Sequence, residues 1–248
     1  MLAVGAMDDS AATSFSGPGD TESARPLLLV HGWAGSFAHT WQRSGLVDLL
    51  RESGRSVMEY DLPGHGSTSK SHNPADYGDL AGHLHAHIAP HGAVDAVGFS
   101  LGAITLLRAL VTSPQSFGTV VLAGIGNGVF EPHDPIATER IVDGLEGRSE
   151  PGDITARVFG KIGNEAGNDP QALAAVLRRP RQEPFTSAQL SNISNSVVVA
   201  IGDKDFTYPA DALAGAFPQG RLVVLPGIDH FRTPESFEFI DLVMSLFA

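Results

Sequence analysis

Six short apolar runs recur along the chain, at residues 26–30 (PLLLV), 56–60 (SVMEY), 94–99 (VDAVGF), 119–125 (TVVLAGI), 197–201 (VVVAI) and 222–225 (LVVL). Each is too brief for a core helix and most are near-continuously apolar rather than alternating, as strands buried on both faces are. Between them lie stretches with the 3.6-residue period of amphipathic helices, at 41–51, 77–88, 101–111, 210–217 and 236–247. Strand and helix take turns, and parallel strands need such crossovers to connect. The expected fold class is therefore α/β, a mostly parallel central sheet flanked by helices.

One stretch breaks the alternation. Residues 130–190 carry helical patterning without a convincing strand, in DPIATERIVDGLEG, DITARVFGKIG and DPQALAAVLRRP. Each of these begins with an aspartate suited to capping a helix N-terminus. The expected organisation is a disordered tail over 1–25, an α/β core built from 26–129 and 191–248, and a helical cap or lid inserted at 130–190.

Composition removes several function classes. The chain has 248 residues, no cysteine and a formal net charge of −12. Without cysteine there is no disulfide, no thiolate-bound zinc and no thiol nucleophile, so covalent catalysis would fall to Ser, Thr, Lys or a carboxylate. The acidic balance argues against nucleic acid or an anionic membrane surface as partners, because both select basic patches. The first residues lack the basic region of a signal peptide, and no apolar stretch approaches membrane-spanning length. A cytoplasmic protein is the expectation, with oligomeric state left open.

Ser100 stands between Gly98 and Gly102 in GFSLG, after an apolar run and before a helical one. The pattern alone is weak, since a shuffled chain of this composition contains it roughly one time in four. Its place gives it weight. In open α/β sheets the ligand crevice lies beyond the carboxyl ends of the strands. The residues just after each run are His31-Gly32-Trp33, Asp61 to Gly66, Ser100, Asp203 with Asp205, and His230. That set offers a nucleophile, a base and a carboxylate to orient the base. The alternative for Ser100 is a small residue in a tight turn, and for His230 a solvated loop histidine.

The motifs HGWAGS, DLPGHGS, GFSLG, IGDKD and PGIDH, in this order from residue 31 to residue 230, resemble those of the α/β-hydrolase superfamily, specifically its serine carboxylesterases and lipases. The resemblance implies that Ser100 is the nucleophile at the elbow between strand and helix, and that His230 is the base. The acid usually ends a G-x-x-D turn, which points to Asp205, with Asp203 as the alternative. The backbone N–H groups of Trp33 and Leu101 would form the oxyanion hole. Phe37, Phe99 and Phe206, with Trp33 and Trp41, would wall an apolar pocket, and Asp61 would tie backbone amides of its turn.

The activity so implied is cofactor-free hydrolysis of a small-molecule carboxylic ester or thioester through an acyl-enzyme. A lactone or the C–C bond of a β-diketone-type substrate could meet the same triad, and a ligand receptor that kept the fold is the non-enzymatic alternative. Serine at the elbow disfavours the dehalogenases and epoxide hydrolases of this fold, which place aspartate there.

Two other signals are discounted. His83 and His87 have a metal-compatible i, i+4 spacing, but Leu80, Leu84 and Ile88 define the buried stripe of that helix, so no metal is expected. No glycine-rich loop for nucleotide phosphates is present. Arg178, Arg179 and Arg181 form the one basic cluster, read as a solvated helix end or as a clamp for a carboxylate or phosphate.

Overall fold

A computed structural model describes residues 25–248, and all but the last residue of the expected 1–25 tail lies outside the described residues. Six strands form one sheet: β1 Leu27–Val30, β2 Val57–Met58, β3 Val94–Phe99, β4 Phe117–Ala123, β5 Val197–Gly202 and β6 Gly220–Leu225. Their order is β2-β1-β3-β4-β5-β6 and every pairing is parallel. Chain direction across the sheet reverses around β1, which pairs with β2 on one side and β3 on the other. A ligand crevice opens at such a switch point.

Side-chain alternation divides the apolar runs between two cores. Leu28, Val30, Ala96, Leu122, Val199 and Ile201 face one layer of helices, α2 Leu80–Ile88, α3 Leu101–Thr112 and, later in the chain, α8 Asp211–Gly215. Leu27, Leu29, Val97, Val121, Val198 and Ala200 face α1 Leu46–Glu52 and α9 Phe237–Phe247 on the opposite side. Burial on both faces explains why the strands read as unbroken apolar runs.

The helical segment expected over 41–51 is divided. A wide π turn covers Ala38–Gln42, and α1 begins only after Gly45, whose φ of 81° a continuous helix does not accommodate. Likewise 77–88 splits into a 3₁₀ turn at Pro74–Tyr77 and α2, whose N-cap Asp79 accepts from the Gly82 amide. Helical periodicity was visible in both stretches, but an apolar stripe can continue across a break.

Between β4 and β5 lie α4 Pro135–Leu145, α5 Ile154–Gly163, α6 Pro170–Leu177 and the short α7 Ser187–Leu190. Asp134, Asp153 and Asp169 cap the first three, each accepting a backbone N–H of the first turn. Val142, Leu145, Leu173 and Ala174 bury a small core of their own around Ala34, with Trp33 and Ile162 packed on it. The insertion thus rests on the loop that follows β1.

α4 and α5 meet backbone to backbone. A Cβ on Gly144 would overlap the Ala156 carbonyl, and one on Gly160 would overlap the Gly144 carbonyl. In an unencumbered helix Gly160→Ala would add up to about 1 kcal/mol of stability. Here overpacking decides the sign: we expect a loss of about 1–3 kcal/mol, read as a lower urea midpoint.

Candidate active site

The turn from β3 into α3 is set by contacts that leave no space for side chains on its two glycines. A Cβ at Gly98 would stand 2.8 Å from the Ala103 Cα, and one at Gly102 would overlap the Val30 and His31 carbonyls. Between them Ser100 adopts φ 52° and ψ −115°, a conformation that L-residues occupy only when their surroundings impose it. Its amide donates to the Ala123 carbonyl at 2.9 Å, which anchors the turn to β4.

The strained turn delivers the serine hydroxyl to His230. Ser100 Oγ lies 3.1 Å from His230 Nε2. On the other edge of the ring, Nδ1 is 2.9 Å from Asp205 Oδ2 and 3.0 Å from Oδ1. With Nδ1–H donating to the carboxylate, Nε2 is left to accept the serine proton. Asp205 and His230 are both buried, at 5% exposure each. Burial on its own would raise the Asp205 carboxyl. The hydrogen bond from His230 and two donors from Thr207 outweigh it and hold the carboxyl below its ordinary value.

Asp203, the other candidate carboxylate, is used differently. Its Oδ1 accepts the Gly227 amide at 2.7 Å, joining the turn after β5 to the turn after β6. That tie positions the loop carrying His230, while the imidazole itself meets only Asp205 of the two.

Gly32 and Trp33 close the crevice from the β1 side. A Cβ on Gly32 would come 3.3 Å from the Ser100 Cβ, so the loop passes directly over Ser100. Among the described residues no backbone carbonyl accepts from the Trp33 or Leu101 amides. Leu101 N–H belongs to the first turn of α3, where helix N–H groups are unsatisfied by geometry and carry the positive end of the dipole. The Trp33 indole turns away from this point and donates Nε1–H to the Leu173 carbonyl of α6 at 3.2 Å. Asn168 adds a bond to the Ala34 carbonyl at 3.1 Å, so two hydrogen bonds hold this loop against the insertion.

The three phenylalanines expected to wall the pocket separate. Phe99 lies at the end of β3 with its ring 5.0 Å from that of His230, and Phe206 lies 4.3 Å from the same ring. Phe37 does not reach the crevice. It is 4% exposed and packs with Trp41, Leu46 and Leu50 under the other face of the sheet, because the π turn rotates it inward. Trp41 is wholly buried in the same core.

In their place stand two aromatics that the motifs did not indicate. Phe231 meets His230 edge-on at 5.6 Å, and Phe159 of α5 spans Trp33, Phe206 and Phe231 at 5.8, 6.1 and 5.5 Å. The available signals were a phenylalanine directly after the histidine and a lone aromatic within DITARVFGKIG. Two clefts flank this collar. One of about 110 Å³ lies between Gly32, Trp33, Phe99 and Phe231, and a larger one of about 460 Å³ between Ile104, Ile125, Val129 and Phe206.

Behind the crevice two histidines are buried without charge. His31 donates from Nδ1 to the Gly32 carbonyl at 2.8 Å, and its Nε2 accepts the Leu62 amide at 3.0 Å. Burial lowers its pKa to about 4. His65, with Nδ1 on the Pro63 carbonyl and its ring 5.3 Å from that of His31, is lowered to about 3 by burial and then by His31. Asp61 accepts the amides of Phe37 and Ser67 at 2.7 and 2.8 Å, which makes it the tie of its turn. Of the histidines of α2, His85 meets the Ala109 carbonyl, His87 lies against the Tyr60 ring and His83 is exposed.

The model of the alpha/beta hydrolase family matches residues 27–240. The chain belongs to that family. Over 122 residues, 48% of this alpha/beta hydrolase and 39% of the relative, it is 30% identical to an esterase of Mycobacterium tuberculosis (strain ATCC 25618 / H37Rv). Over 252 residues, 88% of this chain and 85% of the relative, it is 27% identical to 2-hydroxy-6-oxononadienedioate/2-hydroxy-6-oxononatrienedioate hydrolase 2 of Pseudomonas putida. Among solved structures, a marine microorganism esterase superposes with a TM-score of 0.64 at 17% identity, covering 92% of this chain and 96% of the other. That likeness is one of fold. Among the described residues no helix is long and apolar enough to cross a membrane.

The buried histidines set an acid dependence of stability. Folded His31 and His65 stay neutral down to about pH 4 and 3, whereas the unfolded chain protonates both near 6.5. The unfolded state therefore binds more protons as pH falls, and stability that is full above about pH 6.5 declines toward pH 4. Each group contributes a slope of about 1.4 kcal/mol per pH unit in that window. Urea midpoints are expected to fall between pH 7 and pH 5, and the slope to flatten in His65→Gln.

Proposed function

We propose that the protein is a serine esterase that cleaves a small carboxylic ester or thioester through an acyl-enzyme. The observation that carries this reading is the unbroken hydrogen-bond chain from Ser100 Oγ through His230 to Asp205, at the strained turn beneath the Gly32 loop. Ser100 Oγ attacks the carbonyl carbon while His230 Nε2 takes its proton. The tetrahedral oxyanion accepts from Trp33 N–H and Leu101 N–H, and one such donor is worth about 2.7–4 kcal/mol in the transition state.

Collapse breaks the C–O or C–S bond, and His230 returns its proton to the departing alcohol or thiol. Water then attacks the acyl-enzyme, again giving its proton to His230, and expulsion of Ser100 Oγ with that proton releases the acid. Asp205 stays ionised throughout and holds the imidazole in the tautomer that keeps Nε2 basic. In this reading the aromatic collar around His230 excludes water and receives the apolar part of the substrate, and the helices at 130–190 act as its lid.

The likeness to the Pseudomonas putida hydrolase over 88% of this chain favours one alternative bond, the C–C bond of a 2-hydroxy-6-oxo acid. An assay of p-nitrophenyl esters, thioesters and such a keto acid on one preparation separates the two.

Ser100→Ala is expected to lower ester turnover by about 10⁴- to 10⁶-fold, and Asp205→Asn by about 10⁴-fold. Asp203→Ala should lower the urea midpoint through its lost tie to Gly227 and leave kcat within a few-fold of wild type. Unchanged turnover in Ser100→Ala, or no labelling of Ser100 by a fluorophosphonate, would falsify the reading.

A further inference from the structure

A cavity of about 290 Å³ opens between α3 and the far end of the insertion, away from the triad. Arg108 of α3, Arg179 and Arg181 line it, together with His133, Ile104 and Val129. Six of the thirteen arginines of this acidic chain, Arg43, Arg51, Arg55, Arg140, Arg148 and Arg178, each form an ion pair with a carboxylate. Among the described residues no carboxylate pairs with Arg108, Arg179 or Arg181. The basic cluster of the sequence is thereby divided, with Arg178 bound to Glu139 and Glu146 on the outer surface and Arg179 turned into the cavity.

The two inner guanidiniums are fixed but unsatisfied. Arg108 stacks on the Phe185 ring at 3.9 Å and donates to the Glu183 carbonyl, while its Nε is buried without a partner. Arg179 donates from Nη1 to the Val176 carbonyl at 2.8 Å. A guanidinium has five N–H donors, so most of this capacity is unspent. Burial, followed by the charge of Arg108, works against the Arg179 cation. Burial, then Arg181 and Arg179, likewise lowers the pKa of His133. Glu131 and Asp134 also line the cavity, but the Asp134 carboxylate is occupied in capping α4. Gathering like charges in a partly dry site is costly unless an anion joins them.

The cavity adjoins the crevice. Ile104, Gly128, Val129 and Glu131 border both it and the 460 Å³ cleft beside Phe206. Along α3, Arg108 lies eight residues beyond Ser100, about 12 Å at the helical rise. An extended chain spans about 3.5 Å per three bonds, so a spacer of roughly eight to ten bonds would connect the two points.

We propose that this cavity binds a terminal oxyanion, carboxylate or phosphate, on the far end of the ester substrate, held by Arg108 and Arg179. The preferred substrate is then an acidic ester whose anionic group lies about 12 Å from the scissile carbonyl. This assignment rests on the esterase reading for the word substrate, but binding of the anion itself does not need turnover.

The test compares p-nitrophenyl hydrogen suberate with neutral p-nitrophenyl octanoate. Wild type should favour the acidic ester in kcat/KM by about 10- to 100-fold, the range of a charge-assisted hydrogen bond, with the preference shrinking as salt rises. The ratio does not depend on how much folded enzyme a preparation contains. It should fall toward one in Arg179→Gln, recover in part in Arg179→Lys, and stay at the wild-type value in Arg178→Gln. In parallel, suberate and inorganic phosphate are titrated calorimetrically into the Ser100→Ala protein. Binding of either one that Arg179→Gln abolishes supports the site and identifies which oxyanion it takes. A wild-type ratio near one with neither anion bound overturns the proposal. Failure to hydrolyse any ester, with suberate still bound, would instead remove the esterase reading and leave the anion site standing.

Discussion

No Cβ fits at Gly102, because the first turn of α3 presses against the carbonyls of Val30 and His31 at the end of β1. This single close approach organises the crevice. It brings the α3 N-terminus, with the Leu101 amide, beside the loop after β1 that carries Gly32 and Trp33. It also forces the serine into a backbone conformation that a relaxed turn would abandon. The cost of that strain is offset by the sheet around it, whose inner strands β1, β3, β4 and β5 are buried between two layers of helices and whose pairings from β2 to β6 are all parallel. The rigid core thus holds a geometry that the local sequence would not adopt alone.

Much of this was legible in the chain because it depends on period and order. Continuous apolar runs could only be strands buried twice over, and GFSLG, GDKD and DH each fell at a strand end where a crevice opens. The aspartate caps of α4, α5 and α6 could be read from their side-chain chemistry. The choice between Asp203 and Asp205 could not be read from composition, since both are carboxylates two residues apart. A turn separates their directions, sending one to the Gly227 amide and the other to His230.

What stayed illegible depends on direction rather than type. Phe37 and Phe206 look alike in sequence, yet a π turn buries the first and leaves the second over the imidazole at 62% exposure. Phe159 reaches the crevice only because Gly144 and Gly160 let α4 and α5 lie in backbone contact, a tertiary fact with no local signature. The arginine cluster shows the same limit: adjacent residues Arg178 and Arg179 point to opposite environments across one helix end.

Trp33 serves two masters. It belongs to the loop that passes over Ser100, and its indole is bound to the Leu173 carbonyl of α6. A shift of α6 by a few tenths of an ångström would pull on the indole and tilt the amide with it. In the proposed mechanism, selectivity and rate are therefore mechanically geared. Remodelling the insertion to admit a different ester would also retune the oxyanion donor, so a library screened for new substrates should return changes in kcat that no pocket contact explains.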